Sequence, residues 1–219
     1  MNLTESLRHV LKHKSQNILT LIIKEDIKNF SFFEKLRKYK RHDFSLKYSV
    51  DEFKNSIEST VLIFKVLPNR IRNGFRLFTQ DLLRELELLP DQKKKTIFSL
   101  KVLAGISQFA LSSAYDLGVG ESKLLRIGKS KKLMTNMIIS KIMFKTIQAF
   151  IVRLVTEMEK EVTDVEELKI LQNFRNVILD DSVNAIDKFF DSMTVPGDQA
   201  FTIVENFKKY ILTGERVTD

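Results

Sequence analysis

The chain has 219 residues, 43% hydrophobic and 29% charged, which is enough to bury a substantial core and too apolar for a disordered polymer. It has no cysteine, which excludes disulfides, thiolate metal sites and cysteine nucleophiles. A formal charge of +8 directs attention to anionic partners, and only 7 glycines and 3 prolines suit long helices with few turns.

Apolar residues recur at helical spacing from the start. Leu3, Leu7, Val10, Leu11, Ile18, Leu21 and Ile22 predict a first helix over about residues 3–29. Ser31 with Glu34 and Ser49 with Glu52 have capping-box spacing, predicting helices to about residue 47 and to Leu67. Pro68-Asn69 predicts a break with Asn69 as the next cap, and Pro90-Asp91 another with Asp91 as cap. A fifth helix is expected over about 92–115. The glycine-rich stretch Asp116 to Gly120 then reads as a loop, with a short helix over 122–127 before Gly128. A long helix follows over 131–161. Thr163 and Glu166 form a third capping box, opening a helix to about Met193. After Pro196-Gly197-Asp198 a last helix reaches about Leu212.

No segment alternates with the two-residue period of a strand, and no internal repeat stands out. The expected fold is all-α: a single bundle of seven to eight helices. Its centre is two strongly apolar helices, 97–117 and 131–161. Charges at Lys101, Lys141, Lys145 and Arg153 argue against these two as a membrane hairpin, because each would cost about 2.5–3.5 kcal/mol at mid-bilayer. Residues 1–48 are read as basic amphipathic helices, either part of the bundle or semi-detached. Residues 49–213 are read as the bundle core and 214–219 as a flexible tail. The polar start lacks the features of a signal peptide, so a cytoplasmic protein is expected, with association at the periphery of a membrane as an option.

Charge is sorted along the chain. Residues 1–48 carry 11 basic and 5 acidic side chains, residues 49–90 carry 6 and 6, residues 91–153 carry 12 and 3, and residues 154–219 carry 7 and 14. The acidic last third can lie against the basic middle, or the basic regions can face phosphate groups. Two clusters are the candidate anion-binding sites. The first is Lys35, Arg37, Lys38, Lys40, Arg41 and Lys47, among Phe32, Phe33, Tyr39, Phe44 and Tyr48, a mix that suits a membrane surface. The second is Lys123, Arg126, Lys129, Lys131 and Lys132, beside the free N–H groups that open the helix at 131.

Motifs with chemical meaning are fragmentary. Gly128-Lys129-Ser130 has the end of a phosphate-binding loop but Lys123 where its first glycine belongs, and no preceding strand. Asp180-Asp181-Ser182-Val183-Asn184 faintly echoes a magnesium-binding aspartate motif, with Asn184 in place of its last acid, and Asp187 and Asp191 extend an acidic stripe on the same helix face. Glu5, His9 and His13 share a helix face at zinc-ligand spacing, without a third histidine nearby. The carboxylate pairs Glu157/Glu161 and Glu166/Glu167 are ordinary for helix surfaces. No catalytic residue, metal or cofactor is assigned. The expected function is a non-catalytic helical binding protein engaging lipid or an anionic membrane surface. The alternatives are nucleic-acid binding through residues 35–47 and 123–132, and a protein–protein adaptor or homo-oligomer.

Overall fold

The computed structural model describes the backbone of residues 1–29, 50–127, 131–179 and 198–216. It describes the side chains of 1–24, 69–110, 144–179, 198–211 and 213–216. These residues form seven helices and no strand: α1 (Leu3–His13), α2 (Ser15–Asn29), α3 (Val50–Leu88), α4 (Gln92–Ile127), α5 (Lys131–Glu159), α6 (Val165–Leu179) and α7 (Gln199–Thr213). The all-α class follows from the three-to-four-residue apolar spacing, which gives each helix one face to bury.

Helix α1 opens on a capping box. Asn2 Oδ1 accepts from the Glu5 backbone N–H at 2.9 Å, and the Asn2 N–H donates to Glu5 Oε2 at 3.2 Å. The single helix expected over 3–29 is divided at Lys14. The backbone bonds Lys14 N–H to Val10 O and Ile18 N–H to Lys14 O persist, so the chain bends and does not stop. The Ser15 hydroxyl donates back to Leu11 O at 2.5 Å, a contact that bends helices.

The break expected at Pro68 does not occur, and α3 runs through it to Leu88. A proline inside a helix costs about 3 kcal/mol. Staying helical beyond it places Ile71, Phe75, Phe78, Leu82 and Leu86 in the core, each worth roughly 1.5–3 kcal/mol when buried. The packing outweighs the local penalty. Likewise α4 continues to Ile127 through Gly118 and Gly120, where a loop and a separate short helix were expected. Two helical glycines cost about 2 kcal/mol together, and the spacing of Leu117, Leu124 and Ile127 keeps one helical face apolar across them.

Asp91 caps α4 as its sequence position predicts, accepting from the Lys94 N–H at 2.8 Å. The cap of α6 is Asp164, not Thr163. Asp164 Oδ1 accepts from the N–H groups of Glu166 and Glu167 at 3.0 and 2.9 Å. Thr163 instead faces Met1, whose amino group donates to Thr163 Oγ1 at 2.7 Å and whose carbonyl accepts from the Thr163 N–H at 3.0 Å. The boxes at Ser31/Glu34 and Ser49/Glu52, the helix expected to residue 47 and the stretch from 180 to Met193 lie outside the described residues.

Helix α5 touches α1, α2, α3, α4 and α6, while α7 packs on α3 and α4. Phenylalanines join the layers. Phe75 of α3 lies 4.2 Å from Phe150 of α5 and 5.1 Å from Phe207 of α7, and Phe109 meets Phe144 edge-on at 5.3 Å. Leu3, Leu7, Val10 and Leu11 of α1 belong to this same core. Among the described residues, no helix is long and apolar enough to cross a membrane.

Helices α3 and α7 approach closely at Gly74. A Cβ there would lie 2.9 Å from Ile211 Cδ1 and 3.1 Å from the Tyr210 carbonyl oxygen. Helix α7 ends at Gly214, with φ of 76° and its N–H on Tyr210 O at 2.7 Å, the left-handed cap glycine favours.

Candidate functional site

Three polar assemblies and one unpaired surface stand out, and what separates them is whether charges have partners. The first assembly fastens α1 to the end of α5. The carboxylate of Glu161 receives three side chains: His9 Nδ1, 2.9 Å from both oxygens, Lys14 Nζ at 2.8 Å and the Ser6 hydroxyl at 3.4 Å. Lys14 also reaches Glu157 at 3.1 Å, and Glu157 is held by Lys160. Burial pushes the Glu161 carboxyl up, but Lys14 and His9 outweigh it and the group sits below its ordinary range. Lys160 chiefly, then Lys14, holds Glu157 low against a smaller effect of burial. Hydrogen bonds to Glu161 and Glu157 raise Lys14.

The same corner uses Glu167, which accepts from the Leu3 N–H at 2.6 Å and the Thr96 hydroxyl at 3.2 Å. Glu159 and Arg175 lie 3.1 Å apart with the N–H off the oxygen axis, a coulombic contact without a hydrogen bond. The sequence pairs Glu157/Glu161 and Glu166/Glu167 thus include three carboxylates committed to fastening. The zinc arrangement is not assembled either, because Glu5 caps α1 and His9 is drawn to Glu161. The His9 and His13 rings are tilted at 46°, 5.0 Å apart. Among the described residues no three histidine, aspartate or glutamate side chains are placed to hold a metal ion.

The second assembly explains a charge in an apolar segment. Lys101 donates to Asp198 at 2.6 Å, and Asp198 also caps α7 through the Ala200 N–H at 2.8 Å. Burial raises the Asp198 carboxyl, yet Lys101 and that N–H together bring it below its usual value. The third assembly centres on Asp81, whose side chain is 3% exposed. It accepts from the Tyr210 hydroxyl at 2.5 Å and from Arg216 at 2.9 Å, with Arg84 3.7 Å away. Burial, reinforced by the Asp81 carboxylate, pushes the Tyr210 phenol up to about 12, so near neutrality it is a donor and not a base.

The unpaired surface lies on α3 beside this third assembly. Arg72, Arg76, Gln80 and Arg84 follow one another at four-residue spacing, which places them along one stripe. Arg76, Gln80 and Arg84 are exposed, as are Asn69 and Asn73 next to them, and Arg72 is half-buried. Between residues 69 and 84 the only acid is Asp81, and it is buried against α7. Among the described residues Arg70, Arg72 and Arg76 meet no carboxylate, whereas Arg84 leans on Asp81 and on Glu85 at 3.5 Å. The sequence shows these arginines, but residues 49–90 sum to no net charge, which hides them. Asp51, Glu52 and Glu58 precede the stripe, Asp81 is buried against α7, Glu85 pairs with Arg84, and the exposed Glu87 follows. A helical projection of 69–84 alone, without the summed charge, is the signal that reveals the face.

The basic clusters singled out in the sequence fall elsewhere. Lys35, Arg37, Lys38, Lys40, Arg41, Lys47 and Lys129 lie outside the described residues. Lys123 and Arg126 stand on α4, and Lys131 and Lys132 on α5, with side chains outside the described set. The acidic stripe Asp180 to Asp191 and the Gly128-Lys129-Ser130 fragment also lie outside it. Compared with protein-family models, with curated proteins and with solved structures, the chain matches none.

Proposed function

We propose that this chain is a non-catalytic helical binding protein that holds an anionic, phosphate-bearing partner on its basic surface. The observation that carries this reading is the arginine stripe of α3. Arg72 and Arg76, without carboxylate partners among the described residues, leave donors in a fork geometry that matches phosphate oxygens. The non-catalytic part rests on where the polar groups are spent. Asp81, Glu161, Glu157, Lys14, Lys101 and Asp198 are each committed to joining helices.

Two sources of phosphate suit the sequence. A bilayer surface suits the basic–aromatic segment 32–48, where large apolar side chains accompany the charges. Nucleic acid is the second reading, favoured by the α3 arginines. The test uses the full chain with two probes at low and moderate salt: vesicles containing phosphatidylserine and phosphoinositide, and a mixed-sequence duplex. Binding to at least one of them, weakening as salt rises, is expected. Binding to neither at low salt overturns the reading.

A further inference from the structure

Resting on that reading, we propose that the exposed face of α3 is a docking surface for a nucleic-acid duplex, held by its phosphate backbone without sequence selection. Three features of the face narrow the partner. The first is shape. From Arg72 to Arg84 a straight helix rises about 18 Å, and one duplex strand places a phosphate every ~3.4 Å along its axis. The stripe therefore runs alongside about five phosphates, with Arg72 and Arg76 one turn apart and Arg84 two turns further on.

The second is the lack of apolar anchors between residues 69 and 84, Leu88 one turn beyond Arg84 being the exposed apolar side chain at the end of the stripe. Ile71, Phe75, Leu77, Phe78 and Leu82 of this stretch are buried against the rest of the bundle, and Leu83 is partly buried against the core. A bilayer is held firmly where apolar side chains enter beside the charges, and the exposed positions 69, 73, 76, 80 and 84 offer only amides and guanidinium groups. A single strand is held by stacking its bases on aromatic rings, and both phenylalanines here face inward. A duplex presents its bases stacked on one another and its phosphates outward, so it asks for what this face supplies.

The third is how the arginines are set. Asp81 sits beneath the stripe and accepts from Arg216 at 2.9 Å, which brings a further guanidinium, 46% exposed, beside Arg84. One buried carboxylate thus fixes two arginines at the α7 end, while Arg72 and Arg76 remain unpaired among the described residues. The amides of Asn69, Asn73 and Gln80 between them are donors of the kind that bond phosphate oxygens.

The test is fluorescence anisotropy of a labelled 20-base-pair mixed-sequence duplex, about that long so that the stripe is covered at any register, with the full chain. With three phosphates neutralised, affinity should fall about 40-fold between 50 and 200 mM salt. Arg72→Gln with Arg76→Gln should weaken binding at low salt by at least about tenfold and flatten the salt slope by about 2. Lys145→Gln with Lys169→Gln, which removes two exposed charges on α5 and α6, should leave it unchanged. If the double arginine variant does not fold, Arg72→Lys with Arg76→Lys keeps the charge and loses the fork, and should weaken binding by a smaller factor. Duplex binding indifferent to both arginine variants overturns the proposal. Vesicle binding without duplex binding also overturns it, while leaving the broader reading intact. Binding to neither probe removes both.

Discussion

The corner where α1 meets α5 and the exposed face of α3 carry similar side chains to opposite ends. At the corner, Glu161 collects His9, Lys14 and Ser6, so its charge is answered from within the chain. On α3, Arg76 is exposed and Arg72 half-buried, and neither meets a carboxylate among the described residues. The contrast teaches that charge type says little about role and that pairing says more. A paired, partly buried carboxylate joins helices, whereas an unpaired stripe of one sign leaves its coulombic energy available to a partner.

The largest effect should come from the residue that lies under the open face yet behaves like the corner. Replacing Asp81 with Ala removes the acceptor for Tyr210 and Arg216 and leaves a buried hydroxyl unpaired. A loss of about 2–3 kcal/mol in unfolding free energy is expected, below the full cost of breaking a buried pair because Arg216 can rehydrate. Asp81→Asn keeps an oxygen acceptor for Tyr210 and should lose less. Urea unfolding of the two variants separates hydrogen bond from charge, and equal losses would show that the carboxylate charge is immaterial.

Next in size is the corner itself. Glu161→Gln keeps the shape but weakens the charge-assisted bonds to Lys14 and His9. The groups are partly solvated, so the expected loss is about 1–2 kcal/mol, again read by urea unfolding. A variant as stable as the original chain would mean that these bonds form without holding α1 in place, and the contrast with α3 would collapse.

How far the sequence shows all this depends on the range of the determinant. The helical class and the Asp91 cap are local, written in apolar spacing and in one side chain's reach to a backbone N–H three residues on. The run of α3 through Pro68 is not local. It depends on Phe75 and Phe78 finding Phe150 and Phe207, and propensity alone favours a break. Lys101 reads in sequence only as an interruption, because Asp198 is 97 positions away. Gly74 is one glycine among 7 until α7 is laid against it. The arginine face is a middle case: its spacing is local, but which arginines lack partners appears only once Asp81 is seen to be buried against α7 and Glu85 to pair with Arg84.

Acidity and alkalinity should act on the corner and, at the alkaline end, on the Tyr210–Asp81 contact beneath α3. Glu161 and Glu157 are held below their ordinary values, so they contribute stability that is complete above the unfolded carboxylate range and lost as pH falls through their folded values. Lys14 is raised, so its contribution is complete below about pH 10 and lost as pH climbs through its folded value. Tyr210, raised to about 12, behaves in the same sense as Lys14. Thermal unfolding across pH should therefore decline at both extremes. In Glu161→Gln the acid-side decline should be shallower, and a slope identical to that of the parent chain would place the acid sensitivity elsewhere.

The smallest expected effect on stability is the most telling for the open face. Arg76 is exposed and, among the described residues, touches no carboxylate, so Arg76→Gln removes no ion pair seen among them. Unfolding free energy should change by less than about 0.5 kcal/mol, a shift of about 1–2 °C in Tm for a chain of this size. A change in the stabilising direction is physically reasonable, because Arg72 and Arg76 stand one turn apart and repel. A loss of more than 1 kcal/mol would instead show Arg76 to be part of the fold's own fastening, and α3 would then resemble the corner. A side chain that costs the fold nothing to lose is what a surface kept for a partner requires.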